Sequence, residues 1–599
     1  MTGNRTTPSR GARVLRGCLG ALSGLIAAFA ALCTAELAAG AVRPEAGPVT
    51  AIGGAVIDRT PAPVKDFAIR NFGTNDKLVL QLGILALLAA FAMLIGLLAL
   101  RHRKAGAAAA LVFGAVGAVA ALSRPESRAS DVVPSVVGGL VAAGVLYVLA
   151  GFLTSRPRSS SASAGADGRG ERGADAGEER GTGVGATRAA ADEGPTGPAE
   201  AAPASTTDET APRTSPAPQE ATGAPTLYLG DGPSPGGFNR RGFVIAATAA
   251  VAASAGAGAL GRKLAGSGAA EARATRGSVR IPAPRSTARP IPKGADLGIR
   301  DVASFTTANR DFYRVDTALV VPRVNADTWR LRIHGKGVQN ELELSFQDLL
   351  GRELVERDIT MTCVSNEVGG PYVGNARWIG VRLADVLREA GVRAPSEGGP
   401  ADQLVSRSVD GMTIGTPVET VLDGRDALLA LGMNGEPLPF DHGFPVRMIV
   451  PGLYGYVSAC KWIKDIDLTN FDDYDAYWVR RKWSREAPIK TMSRIDTPRP
   501  LSSQKAGTVP VAGVAWAQHR GIARVEVRVD EGPWQQARLG DEAGIDTWRQ
   551  WVWEWPATPG RHRLEVRATD RTGETQTDER VDTVPDGATG WHSVVVTVP

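Results

Sequence analysis

Cysteine is nearly absent: four in 599 residues. That excludes a disulfide-built scaffold, and no Cys-x-x-Cys-His occurs to tether a c-type haem. Histidine is almost as scarce, with six in all. None falls inside a long apolar run, which argues against a membrane haem held by paired histidines. Tryptophan is missing from the first half, where all 12 would be welcome core residues; every one lies at or after Trp329. An excess of one charge is lacking too. Lys+Arg number 67 against Asp+Glu 63, a formal net charge of +4. No basic cluster is interleaved with aromatics, so no nucleic-acid partner is expected. The length far exceeds the ~150 residues of one typical domain, so several domains are expected.

What is present begins with long apolar runs at 17–35, 78–100, 105–122 and 132–154. Each approaches the ~20 residues a helix needs to cross a bilayer core. The run 78–100 has Gln81 as its only strongly polar side chain. The Ala/Gly-rich run 105–122 also fits a buried helix. Arg5, Arg10, Arg13 and Arg16 precede the first run, Arg101, Arg103 and Lys104 follow the second, and Arg156 and Arg158 follow the fourth. All three groups share one side if residues 1–154 cross four times from a cytoplasmic N-terminus. The loop 41–77 is then outside. Glu36 sits at the outer end of the first run.

Residues 155–238 hold no Ile or Trp and almost no Leu. Such a segment buries too little apolar surface to offset its ordering entropy, so it reads as a disordered cytoplasmic tether. At 239–264 comes Asn239-Arg240-Arg241-Gly242-Phe243, followed by a weakly hydrophobic Ala/Gly segment. This resembles a twin-arginine signal, the mark of a route that exports folded proteins. An ordinary fifth span with positive flanks is the alternative. A cofactor inserted before export is the usual reason for that route. Residues 265–300 read as an extended lead-in.

Residues 301–485 mix strand-like stretches, such as Trp329–Ile333, with helix-like ones, such as 345–350 and 381–387, so the class is α+β. Residues 486–599 alternate as short strands, including Val525, Val527 and Val529, and predict an all-β sandwich. Two segments carry chemistry. In the first, Cys363 ends a strand-like run and opens Cys363-Val-Ser-Asn366, a polar loop before Gly369-Gly370. Read bare, this Cys is a buried free thiol, a nucleophile without a nearby His, or a soft metal ligand. In the second, His442, Arg447 and Lys461 flank an apolar strand and Gly452. They are either a solvated edge or a phosphate-binding set.

Together these stretches resemble the sulfite oxidase family of molybdopterin enzymes, over about 295–599. The resemblance rests on Cys363-Val-Ser-Asn366 with Trp378-Ile-Gly-Val-x-Leu behind it, on Met433–Pro439, and on His442-Gly-Phe-Pro-Val-Arg447 with Val450-Pro-Gly452. It extends to Ala487–Thr491 and Gly513–Trp516 in a terminal dimerisation-type domain. It implies a molybdenum–molybdopterin cofactor with Cys363 as the metal's thiolate and the catalytic centre. Tyr313, Arg314, Asp410, His442, Arg447 and Lys461 would hold the cofactor. It implies an immunoglobulin-like domain at 486–599 and a homodimer through it.

The family's sulfite-binding basic residues after the Cys loop are replaced here by Glu367 and Val368. A carboxylate there would repel an anion, so sulfite is disfavoured and a neutral substrate is expected. No cytochrome segment is present, so a separate electron-transfer partner is required. The expected protein is a multi-pass membrane-anchored oxidoreductase with an extracytoplasmic oxo-transfer centre and a small-molecule substrate. The alternatives are a reductase of S-oxides or N-oxides on the same cofactor and a non-catalytic, membrane-anchored surface binding module.

Overall fold

The computed structural model describes residues 10–43, 46–60, 64, 76–124, 127–154 and 239–599. The tether expected at 155–238 lies outside the described residues. The first half is helical: α1 (Arg10–Val42), α2 (Pro48–Arg59), α3 (Asp76–Arg101), α4 (Arg103–Leu122), α5 (Val133–Thr154) and α6 (Arg240–Ser278). Among the described residues, five of these are long and apolar enough to cross a membrane, all but α2. Their Ala- and Leu-rich sequences favour helix throughout. His102 breaks the run between α3 and α4 with extended backbone.

Small residues let these helices meet closely. A Cβ on Gly24 of α1 would strike the Ala92 carbonyl of α3, and one on Gly96 would strike that of Gly20. Small residues at such notches let helix backbones approach closely. Helix α2 was not anticipated. Pro48 sits in its first turn, where a missing N–H costs nothing.

Helix α6 corrects the lead-in boundary. Residues 265–278, expected to be extended, continue the helix to Ser278. The stretch is rich in Ala and Arg, and the first proline after it is Pro282. At 39 residues the helix is roughly 58 Å long, well beyond a bilayer core. Its end docks on the soluble half. Ala272 is fully buried there, and Arg276 donates to the carbonyls of Pro437 and Leu438, each at 2.7 Å.

Beyond α6 the chain is β-rich, with short helices among its strands as far as residue 481 and strands alone after it. Its strands are β1 (Arg330–Gly335), β2 (Leu342–Ser345), β3 (Leu354–Thr362), β4 (Val373–Arg382), β5 (Gln403–Ser408), β6 (Thr413–Pro417), β7 (Leu428–Met433), β8 (Glu436–Pro437), β9 (Arg447–Ile449) and β10 (Ile463–Thr469). One sheet runs β2-β1-β10-β5-β6, and the other β3-β4-β7-β8 with β9 on β7. The helix expected at 345–350 is present, capped by the Ser345 side chain on the Asp348 N–H. Residues 492–598 form two antiparallel sheets around one core that includes Val511, Val525, Trp551, Leu564 and Val596.

The all-β domain braces the strand that leads to Cys363. Gln518 Nε2 donates to the Thr360 carbonyl at 3.0 Å, and the Trp548 N–H to Thr360 Oγ1 at 2.8 Å. Arg494 donates to the Gly370 carbonyl at 2.8 Å, and the His592 ring lies against Gly369.

Candidate cofactor and active site

Strand β3 delivers Cys363 to a cavity of about 450 Å³. The Cys363 N–H donates to the Tyr372 carbonyl at 3.0 Å, and the Asn366 N–H to the Cys363 carbonyl at 3.1 Å. Asn366 Oδ1 then accepts from the Tyr372 N–H at 2.7 Å. The Cys-x-x-Asn spacing is thus a loop closed by its own asparagine. Burial pushes the Cys363 thiol up, opposed by hydrogen bonds from Ser365 and by the Lys461 charge. Without a metal this thiol stays protonated at neutral pH. A soft metal ion would hold it as thiolate.

Five of the six expected cofactor residues line the same cavity: Tyr313, Asp410, His442, Arg447 and Lys461. They arrive from separate elements. Asp410 sits in the turn between β5 and β6, His442 in the turn before β9, Arg447 on β9, and Lys461 just before β10. Gly443, at φ +109°, allows this convergence. A Cβ there would press on Arg447 and Lys461 within 3.2 Å. Arg314 is the exception. It does not line the cavity; its side chain pairs with Asp316 at 2.9 Å and Asp441 at 3.3 Å. Asp316, which the sequence reading missed, also takes Lys461 Nζ at 2.7 Å and so links Arg314 to the cavity.

Arg447 decides what the cavity is for. It is 5% exposed, and its Nη1 donates to the His442 carbonyl at 3.2 Å. Its Nε has no partner, and no carboxylate pairs with it among the described residues. Burial lowers its pKa to about 10. The Trp378 ring, 5.1 Å from the guanidinium, covers one face. A buried, unpaired guanidinium costs several kcal/mol unless an anion completes it. Its planar fork suits a phosphate. The donor set therefore fits a phosphate-bearing cofactor beside a soft metal bound by Cys363.

His442 is neutral in this setting. Burial, with the Arg447 and Lys461 charges, lowers its pKa to about 4, against an opposing hydrogen bond to the Asn309 carbonyl. That bond, 2.8 Å from Nε2, places the ring proton on Nε2. The unfolded chain takes up a proton near pH 6.5 that the folded one refuses until about pH 4. Stability is therefore full above pH 6.5 and falls as pH drops toward 4, by about 3 kcal/mol. In thermal melts of cofactor-free protein, His442→Gln should flatten this acid decline. An unchanged decline would show that His442 is not its source.

Glu367 corrects one expectation. It is exposed and does not line the cavity, so it is not placed to repel an anionic substrate. The sequence reading also missed Trp378, the platform under Arg447, whose indole N–H donates to the Ile359 carbonyl at 3.1 Å. The Trp-Ile-Gly motif held the signal. Gly380 lets β4 bulge against β7, and a Cβ there would strike the Leu429 carbonyl.

A family model for the oxidoreductase molybdopterin binding domain matches residues 318–478. Mitochondrial sulfite oxidase of Homo sapiens is 30% identical over 304 residues, 44% of this chain and 55% of that protein. The chain thus spans little more than half the length of the sulfite oxidases it matches. The uncharacterized oxidoreductase YuiH of Bacillus subtilis (strain 168) is 33% identical over 152 residues, 25% of this chain and 70% of that one. The crystal structure of the sulfane dehydrogenase SoxCD from Paracoccus pantotrophus is 22% identical, covering 50% of this chain and 84% of that one at a TM-score of 0.43. With the motifs in order and their side chains gathered at one cavity, the chain belongs to the sulfite oxidase family of molybdopterin-dependent oxidoreductases.

Proposed function

We propose that the chain is a membrane-anchored oxidoreductase whose extracytoplasmic centre exchanges an oxygen atom with an uncharged small molecule. When bound, a molybdenum–molybdopterin group supplies two-electron oxo transfer. Cys363 would hold the metal, and Arg447, Lys461 and His442 would hold the pterin and its phosphate. Asp316 fixes the Lys461 ammonium, and Trp378 fixes the Arg447 plane. Tyr313, whose phenol burial keeps protonated, stands near both Cys363 and Arg447 as a donor. Electrons pass to or from a separate partner. The domain at 486–599 is an immunoglobulin-like module that braces β3 and joins two copies.

The observation that carries this reading is the unpaired Arg447 guanidinium in the cavity that also receives Cys363. An uncharged substrate is favoured because, beyond Arg447 and Lys461, no Lys or Arg lines the cavity among the described residues. With both cations committed to the cofactor, a dianion such as sulfite gains little there. Metal analysis and a redox screen test the proposal. Purified protein should carry near-stoichiometric molybdenum and pterin, and should turn over sulfoxides or thioethers faster than sulfite. Absence of molybdenum would refute it. A clear preference for sulfite would refute the substrate class alone.

The membrane orientation follows from the Lys/Arg placement and is supported by a contact. Asp58, near the end of α2 between the first two spans, accepts a hydrogen bond from Tyr477 of the catalytic domain, as a shared outer face requires. Replacing Arg240 and Arg241 by Lys should strand the soluble half inside the cell, read by protease accessibility in spheroplasts. Unchanged outside exposure would mean ordinary insertion without the twin-arginine route.

A further inference from the structure

The catalytic cavity is not closed by the catalytic domain alone. Val56 and Ile57 of α2, with Thr60 and Val64 beyond it, form part of its lining. Leu80 of α3 adds a wall from the membrane region, and Met412, Trp478 and Trp483 face the same space from the soluble half. Helix α2 is fastened there. The Tyr477 hydroxyl donates to Asp58 Oδ1 at 2.6 Å, and Arg481 donates to the Asp58 carbonyl at 3.0 Å. The Arg481 guanidinium also stacks on the Tyr477 ring at 3.5 Å. Farther toward the start of α2, Gly53 is wedged under Leu319. A Cβ at Gly53 would meet that side chain at 2.5 Å and Ile84 of α3 at 3.5 Å.

We propose that α2 is the roof of the substrate chamber and its specificity element, latched by Asp58 so that the chamber admits an uncharged reactant with an apolar body. The inference rests on the oxo-transfer reading for the chemistry, but the roof itself is a matter of packing. The charged groups of the latch, Asp58 and Arg481, face each other and not the chamber. What α2 offers inward is aliphatic. A reactant filling the space between Val56, Ile57 and the two tryptophans gains by burying its own apolar surface. A small polar reactant gains nothing from the same walls.

The test uses the full chain, cofactor-loaded, in lipid nanodiscs. Hydrogen exchange in 48–60 should speed at least tenfold in Asp58→Asn and in Tyr477→Phe, with 354–382 unchanged. Equal exchange in wild type and both variants would overturn the roof. Methyl phenyl sulfoxide should slow exchange in 48–60 of the wild type, and dimethyl sulfoxide at the same concentration should not. Protection by neither, or by both alike, would overturn the specificity assignment. Ile57→Ser should raise KM for methyl phenyl sulfoxide about tenfold, and an unmoved KM would count against the assignment. Because the exchange measurements need no turnover, a protein that binds and protects without reacting would sink the activity proposal and leave the roof standing.

Discussion

Cys363→Ser should lower turnover by at least about three orders of magnitude, the scale expected when a group acting with the reacting centre is removed. The fold should barely change. The loop is held by the backbone bonds of Cys363 to Tyr372 and Asn366, and these do not involve the sulfur. A hydroxyl is a harder donor than a thiolate and stays protonated at neutral pH, so it cannot take over as a soft-metal ligand. The unfolding midpoint should therefore move by no more than about 1 kcal/mol of stability, and export should be normal. Steady-state assays, run beside thermal melts and cell fractionation, separate these outcomes. Full activity in Cys363→Ser would remove the metal-ligand role.

Arg447→Met should act in opposite directions on the two forms of the protein. In the cofactor-free form it removes a buried charge whose Nε has no partner, while a Met side chain still covers Trp378. Replacing buried charge by apolar volume stabilises by about 1–4 kcal/mol in comparable cases. In the loaded form the phosphate loses its fork, and molybdenum and pterin content should fall at least tenfold. Arg447→Lys should fall between, since an ammonium keeps the charge but not the bidentate geometry. Cofactor content equal to wild type in Arg447→Met would place the phosphate elsewhere. A lower melting point for the cofactor-free variant would show that the charge is already satisfied.

Much of this site was legible because its residues sit at strand ends, where motif and position coincide. Cys363 follows β3 and Arg447 opens β9, so the strand-like runs beside the family motifs also marked where the chemistry sits. Arg314 was misplaced for a local reason. It lies in an irregular segment where no periodicity says which way a side chain turns, and Asp316 two residues on captures it. Glu367 failed similarly, because a loop closed by Asn366 turns its next residue to solvent. Helix α2 is only 12 residues with three Gly or Pro, too short and too broken to declare itself against the long runs around it. The extent of α6 was hidden by its Gly and Ser content. Its last turns are held by the docking of Ala272 and Arg276, which only the tertiary structure supplies. The role of the all-β domain in bracing β3 through Gln518 and Trp548 is likewise long-range, with partners some 150 residues or more apart in sequence.

The central claim is that the Cys363 sulfur is bonded to molybdenum. Molybdenum K-edge absorption on cofactor-loaded wild type and Cys363→Ser, at matched metal content, tests it directly. The account predicts one fewer sulfur neighbour in the variant, replaced by a shorter oxygen or nitrogen contact. Identical sulfur shells in the two proteins would contradict it.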